Sequence, residues 1–374
     1  MREWVDEQTG RTVRQLTELP DGASVSYFRL PRHVPGGLLL AWGTHPDGNA
    51  LLLDPDHGEA IPLKLRIAQY LKLNEANGRM WYLAEPGRTV WAVDLPGDTP
   101  ELVGEVPADA PGHPVDITCD GRTAILVEKN QDPNAFPMPV TKDVAAFWHY
   151  FSRPRNGRIW AYDLAARRLT KIAESTELGL DHEDTSPTDP GLLKFCKDML
   201  ESLGQRMWAV RVDGSGLRAI RHQEMFEAIT HEFWWPGGQH VGYTYQDRRG
   251  DETLYRLPWC EYAPVATRLG IAGLDGTERY LSDPLNCYHS HIFVSPDGQW
   301  VCGEGTDGHS FAYAAPFSWK STAVDFAPMA TIHTPYVPFR GQRVEAGFSA
   351  ESRWLVYNDT IDGRLQVCAV RVGE

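Results

Sequence analysis

Two short strings hold residues able to move a proton beside a fixed positive charge. In "THEFWW" (230–235) His231 is followed by Glu232 and three aromatics, and in "QRMWAV" (205–210) Arg206 precedes Met207 and Trp208. An unperturbed histidine titrates near pH ~6.5, so at neutral pH its imidazole is available to accept a proton. An arginine keeps its charge and can grip a carboxylate through two parallel hydrogen bonds. A lone histidine also has a plainer reading, a ring bonded to a backbone carbonyl, and Glu232 reads as an orienting or structural acceptor. Asp181, Glu183 and Asp184 in "LDHEDTSP" read as a solvated acidic loop. No phosphate-cradling GxxxxGK[ST] or strand-to-helix GxGxxG occurs, and "DGSGL" lacks the strand–turn–helix setting of a nucleophile elbow.

The element that must position His231 is the stretch "AITHEFWWPGGQHVGYTYQ" (228–246), which predicts two strands joined by a tight turn at Gly237 and Gly238, with His231 at a strand end. Similar units recur as "PDGNALLLD", "ANGRMWYLAEPGRTVWAVDL", "CDGRTAILVE", "RNGRIWAYDL", "RMWAVRVDGSG", "SPDGQWVCGEG" and "SAESRWLVYND". Four-stranded propeller blades repeat about every 40–50 residues. The expectation is an all-β, seven-bladed β-propeller forming a single domain over residues 1–374; a pair of β-sandwiches is the alternative. Two stretches interrupt the rhythm, 130–154 with "TKDVAAFWHYF" and 181–205 with "GLLKFCKDMLESLG". Both predict short helical insertions on one rim, where loops build the walls of a cleft.

Composition narrows the partners. With 42% apolar and 11% aromatic residues the chain is ordinary for a globular protein, and no run approaches the ~20 apolar residues that span a bilayer. A formal charge of −14 argues against nucleic acid, which calls for a basic face. Any anionic ligand must meet a local cationic cleft. The six cysteines show no CxxC pair, which suits reduced thiols, and the amino terminus lacks a secretory layout, so a cytoplasmic location is expected.

"GQRMWAVRVDGSGLRAI", "THEFWWPGG", "HIFVSPDGQWVCGEG" and the opening "DEQTGRTVRQLTE" together resemble the oligogalacturonate lyases. The resemblance covers most of the chain and is strongest between residues 150 and 305. It implies a cytoplasmic seven-bladed propeller that splits short pectin fragments by β-elimination: a base takes the proton at C5 of a uronate, and the oxygen at C4 departs. A carbon acid of this kind needs both a placed base and charge stabilisation at the carboxylate. The resemblance gives the base role to His231 and the companion role to Arg206. By spacing it also brings in His182, as a sugar contact or as a structural residue.

The family's metal string is altered here. The resemblance implies manganese held by a histidine matching His291, with His289 two residues away on the same face of a strand. The remaining ligand string falls on Arg340, Arg343 and Glu345. Either His291 and Glu345, with His289 or His333, hold Mn²⁺ or Ca²⁺, or Arg340 and Arg343 supply the charge and the activity is metal-independent. His149, Tyr150 and Arg153 are candidate sugar contacts, or else aromatic packing of the rim. The expected partner is a small acidic oligosaccharide, with no nucleic acid and no membrane. Rival readings are a propeller glycoside hydrolase using two of Glu232, Glu345 and Asp184, and a non-catalytic carbohydrate-binding propeller.

Overall fold

A computed structural model describes residues 2–84, 87–129, 156–176, 179–198, 204–247, 266–286, 289–305, 311–334 and 344–373, to which all structural statements here refer. These residues form seven antiparallel sheets that follow one another in chain order. The fold is a seven-bladed β-propeller. Five sheets have four strands, and the first and last have five. The amino-terminal strands Thr12–Gln15 and Arg2–Val5 pair onto Arg364–Arg371 of the last sheet, so the chain closes its own ring. That closure covers an edge which would otherwise offer unpaired backbone groups to another chain.

Runs such as "LLLAW" and "ALLLD" are buried on both faces, because each blade is packed between two neighbours. One apolar cluster joins Leu39, Leu51 and Leu53 of the first blade to Val356, Val367 and Ala369 of the last. Another joins Leu71, Trp81 and Leu83 of the second blade to Ile117, Leu126 and Tyr162 of the third. Each fully buried leucine contributes about 1.5–3 kcal/mol through its removal from water. Cores of this kind lie between blades, which leaves the first strand of each sheet to line the axis. There the first strands touch: Gln69–Asn74 meets His113–Ile117, which meets Gly179–Thr185, and Glu227–Trp234 meets His289–Val294.

Five of these axial strands carry a bulge. The register shifts between Tyr70 and Lys72, Pro114 and Asp116, Asp181 and Asp184, Thr230 and Phe233, and His289 and His291. A bulge inserts an unpaired residue and re-aims a side chain. His231 is therefore inside a strand, at its bulge, and not at a strand end as the sequence reading has it. The turn that follows is as expected: Gly237 and Gly238 have φ of +84° and +70°, and the Gly238 amide donates to the Trp235 carbonyl at 2.9 Å. A Cβ at Gly238 would meet Thr188 Oγ1 at 2.6 Å, so only glycine fits there without displacement.

The helix expected in "GLLKFCKDMLESLG" is not formed. Leu192–Asp198 is instead a strand, paired on one side with Gly179–Thr185 and on the other with Met207–Arg211. Short apolar runs cannot be assigned by periodicity alone. Leu192, Leu193, Phe195 and Cys196 are all buried, and so is Lys194, which a helical reading would place on a polar face. The other expected insertion, 130–154, lies outside the described residues. No helix occurs among the described residues.

Candidate functional site

The fourth, fifth and sixth blades each send one histidine to the axis. His182 and His231 are left-handed, both with φ of +53°, and occupy the bulges of Gly179–Thr185 and Glu227–Trp234. Left-handed backbone is uncommon for residues other than glycine and concentrates at functional sites. His291 follows the bulge of its own strand. From the first blade the segment Tyr27–Phe28 reaches into the same space. The Phe28 ring stacks on His291 at 4.4 Å between centroids, and His291 meets His231 edge to face at 4.7 Å. Tyr27 lies 5.2 Å from His291 and 5.9 Å from His182.

Glu232 organises the group from below. It is fully buried; its Oε1 lies 2.7 Å from His182 Nδ1, and its Oε2 accepts from Arg206 Nε at 3.0 Å. Burial alone would push its carboxyl up, but Arg206 and then His182 outweigh that and hold it well below the usual carboxylate range. Glu232 therefore stays ionised and acts as an acceptor, as its sequence context suggests. Because Arg206 gives its Nε to Glu232, a substrate carboxylate would have to approach its Nη edge. Removing Glu232 would strand a buried guanidinium, a change that typically costs about 3–5 kcal/mol.

His231 is in the opposite situation. Burial, and then the neighbouring His291, Arg206 and His182, push its pKa well below 6.5, with Glu232 the opposing influence. Its Nδ1 lies 3.1 Å from Thr230 Oγ1. The ring is neutral at pH 7 and partly exposed, as a proton acceptor must be.

Beneath these groups is a charge network that the sequence did not reveal. Asp184 lies within 3.0 Å of Lys194 Nζ, 3.2 Å of Lys72 Nζ and 3.5 Å of Arg29 Nη1; Lys72 also contacts Asp116 at 3.3 Å. Asp184, Glu183 and Asp181 are thus part of a blade, and Asp184 and Glu183 are buried, which corrects the solvated-loop reading. Four cations (Arg29, Lys72, Lys194, Arg206) are interleaved with three carboxylates (Asp116, Asp184, Glu232), and the Asp181–Lys129 pair lies beside them. Arg29, Lys72 and Lys194 each sit in segments without a motif, so only the fold brings them together.

The other candidates separate. His291 Nδ1 is 2.5 Å from Glu304 Oε1 and 3.9 Å from Glu345 Oε2, so His291 and Glu345 do come together. Glu345 Oε2, however, accepts the Phe28 amide at 2.8 Å. The backbone register shifts between His289 and His291, and the His289 side chain lies outside what the structure describes. His333 belongs to a different group, with its Nδ1 2.8 Å from Asp359 Oδ2. Among the described residues the one set of three ligand-bearing side chains within 4.8 Å is His182, Cys196 and Glu232. A thiolate is too soft for manganese, and Glu232 is already committed. Three nitrogen and oxygen donors, His291, Glu304 and Glu345, instead come together where the resemblance places manganese. His149, Tyr150, Arg153, Arg340 and Arg343 lie outside the described residues.

Comparison with known proteins agrees with this fold. Two solved structures match the whole chain: an oligogalacturonate lyase in complex with manganese (TM-score 0.74, 21% identity, 96% of that chain covered) and an oligogalacturonate lyase from Vibrio parahaemolyticus (TM-score 0.75, 20%, 97%). The oligogalacturonate lyase of Dickeya dadantii is 25% identical over 318 residues, covering 80% of this chain and 74% of that protein. The oligogalacturonide lyase of Pectobacterium atrosepticum is 24% identical over 310 residues, covering 81% and 74%. The family model for oligogalacturonate lyase matches residues 6–308, and by that match the chain belongs to the oligogalacturonate lyase family.

Proposed function

We propose that this lyase cleaves short uronate-containing oligosaccharides by β-elimination, with His231 taking the C5 proton and Arg206 meeting the carboxylate. The observation that supports it best is the pairing of opposites at one place: a neutral, partly exposed His231 beside a buried guanidinium held by Glu232. Base and cation must act together, because charge moves from the C5–H bond onto the carboxylate as the proton leaves.

The positive charge for that carboxylate comes from Arg206, backed by the cations around Asp184. Manganese is expected to be dispensable, because Arg206 already brings a fixed positive charge to the place where the carboxylate meets His231. The hydrolase reading loses support at the three acids nominated for it, since one of them would have to be held protonated as general acid. Glu232 and Asp184 are held ionised by their cation partners, and Glu345 is bonded to a backbone amide.

Incubating chelator-treated protein with digalacturonate tests both points. Growth of the ultraviolet band of an unsaturated uronate at an undiminished rate is the expected result. Reducing ends without that band would mean hydrolysis, neither product would mean a binding module, and activity that returns only with added Mn²⁺ would restore the metal.

A further inference from the structure

Elimination has a second proton to account for. The oxygen leaving C4 is the hydroxyl of a sugar and a poor leaving group as an alkoxide, so a donor beside it lowers the barrier. The site holds a second histidine whose surroundings are the reverse of those of His231.

His182 turns Nδ1 toward Glu232 Oε1 at 2.7 Å. Glu232 is ionised and can only accept, so the proton of that bond sits on Nδ1, and the carboxylate stands as counter-ion to an imidazolium whenever Nε2 also carries a proton. Nε2 has no hydrogen-bond partner among the described residues, and 18% of the side chain remains exposed, so a ligand can reach it. The backbone supports the arrangement. His182 and His231 sit in bulges of adjacent axial strands with the same φ of +53°, and Glu232 follows His231 directly. One side chain therefore ties the two imidazoles into one frame, holding His182 while its neighbour in sequence is the base.

We propose that His182 is the general acid of the elimination, donating its Nε2 proton to the departing glycosidic oxygen. The C5–H bond breaks with its proton going to His231, and its electron pair becomes the C4–C5 double bond. The C4–O bond breaks with its pair remaining on the oxygen, which takes the proton from His182. His231 ends protonated and His182 neutral, and exchange with solvent restores both. Two like residues in unlike surroundings thus divide the acid and base roles.

The assignment rests on the elimination reading, and its test separates the two. His182→Asn and His182→Gln are compared with the parent on digalacturonate and on a galacturonate carrying fluoride at C4. Asparagine tolerates the left-handed backbone at this position. Fluoride departs without needing a proton, so the acid matters only for the sugar leaving group. On digalacturonate kcat is expected to fall about 10²–10⁴-fold. On the fluoride substrate the variants should stay within about threefold of the parent, which also shows that they are folded. Equal losses on both substrates, a raised KM with unchanged kcat, or unchanged kinetics on digalacturonate would each overturn the assignment. A parent protein that forms no unsaturated product from digalacturonate would instead defeat the elimination reading itself, and the acid with it.

Discussion

His231 owes its chemistry to where a bulge puts it. In isolation it would titrate near pH 6.5, but burial and three cationic or protonatable neighbours lower it well below that value. The sign for activity follows: a base is lost when it is protonated, and a lowered pKa moves that loss to more acidic solution. The acid limb of kcat/KM for a uronate should therefore fall well below pH 6.5, and a pH–rate profile with its midpoint at 6.5 or above would contradict the placement. His231, Arg206 and His291 were legible because each lies in a distinctive string. Glu232 was legible as an acceptor but not as the joint partner of His182 and Arg206, since those contacts come from other strands. Arg29, Lys72 and Lys194 gave no signal. An isolated cation in a strand or turn ordinarily reads as solvent-facing, and only the fold turns these three inward.

At the scale of elements, the strand Gly179–Thr185 does the most work. It supplies His182, the network residue Asp184, and Glu183, a buried acid whose Oε1 has no hydrogen-bond partner among the described residues. Burial, reinforced by Asp181, raises the Glu183 carboxyl from 4.5 to about 7. The folded state therefore holds this proton between those values while the unfolded chain releases it, so the associated stability is complete below pH 4.5 and is lost as pH rises through about 7. Glu183→Gln removes the ionisation. Its melting temperature should exceed that of the parent at pH 8, by the equivalent of about 1–3 kcal/mol, and converge with it near pH 4. A variant less stable than the parent at pH 8 would show that the carboxylate is needed. The sequence misread this blade twice, as a solvated loop at 181–184 and as a helix at 191–204. Lys194 and Asp184 are instead paired with each other in the interior, which allows the polar and apolar positions of these strands to be buried alike.

The whole molecule was the most legible level. Recurring turn signals followed by apolar alternation reach from the first blade to the last, and that repeat is what seven sheets look like in a chain. The closing of the ring was not legible, because pairing of Thr12–Gln15 with Arg364–Arg371 joins segments some 350 residues apart in sequence, without a local cue. On a chain with a formal charge of −14, the cations gathered at the axis make a place suited to a carboxylate. The most direct test of that place is the rate at which folded His231→Ala and parent proteins generate unsaturated uronate from digalacturonate. Steady formation by the parent is expected, with a loss of about 10²–10⁴-fold in kcat for the variant. Equal rates from both proteins would contradict it.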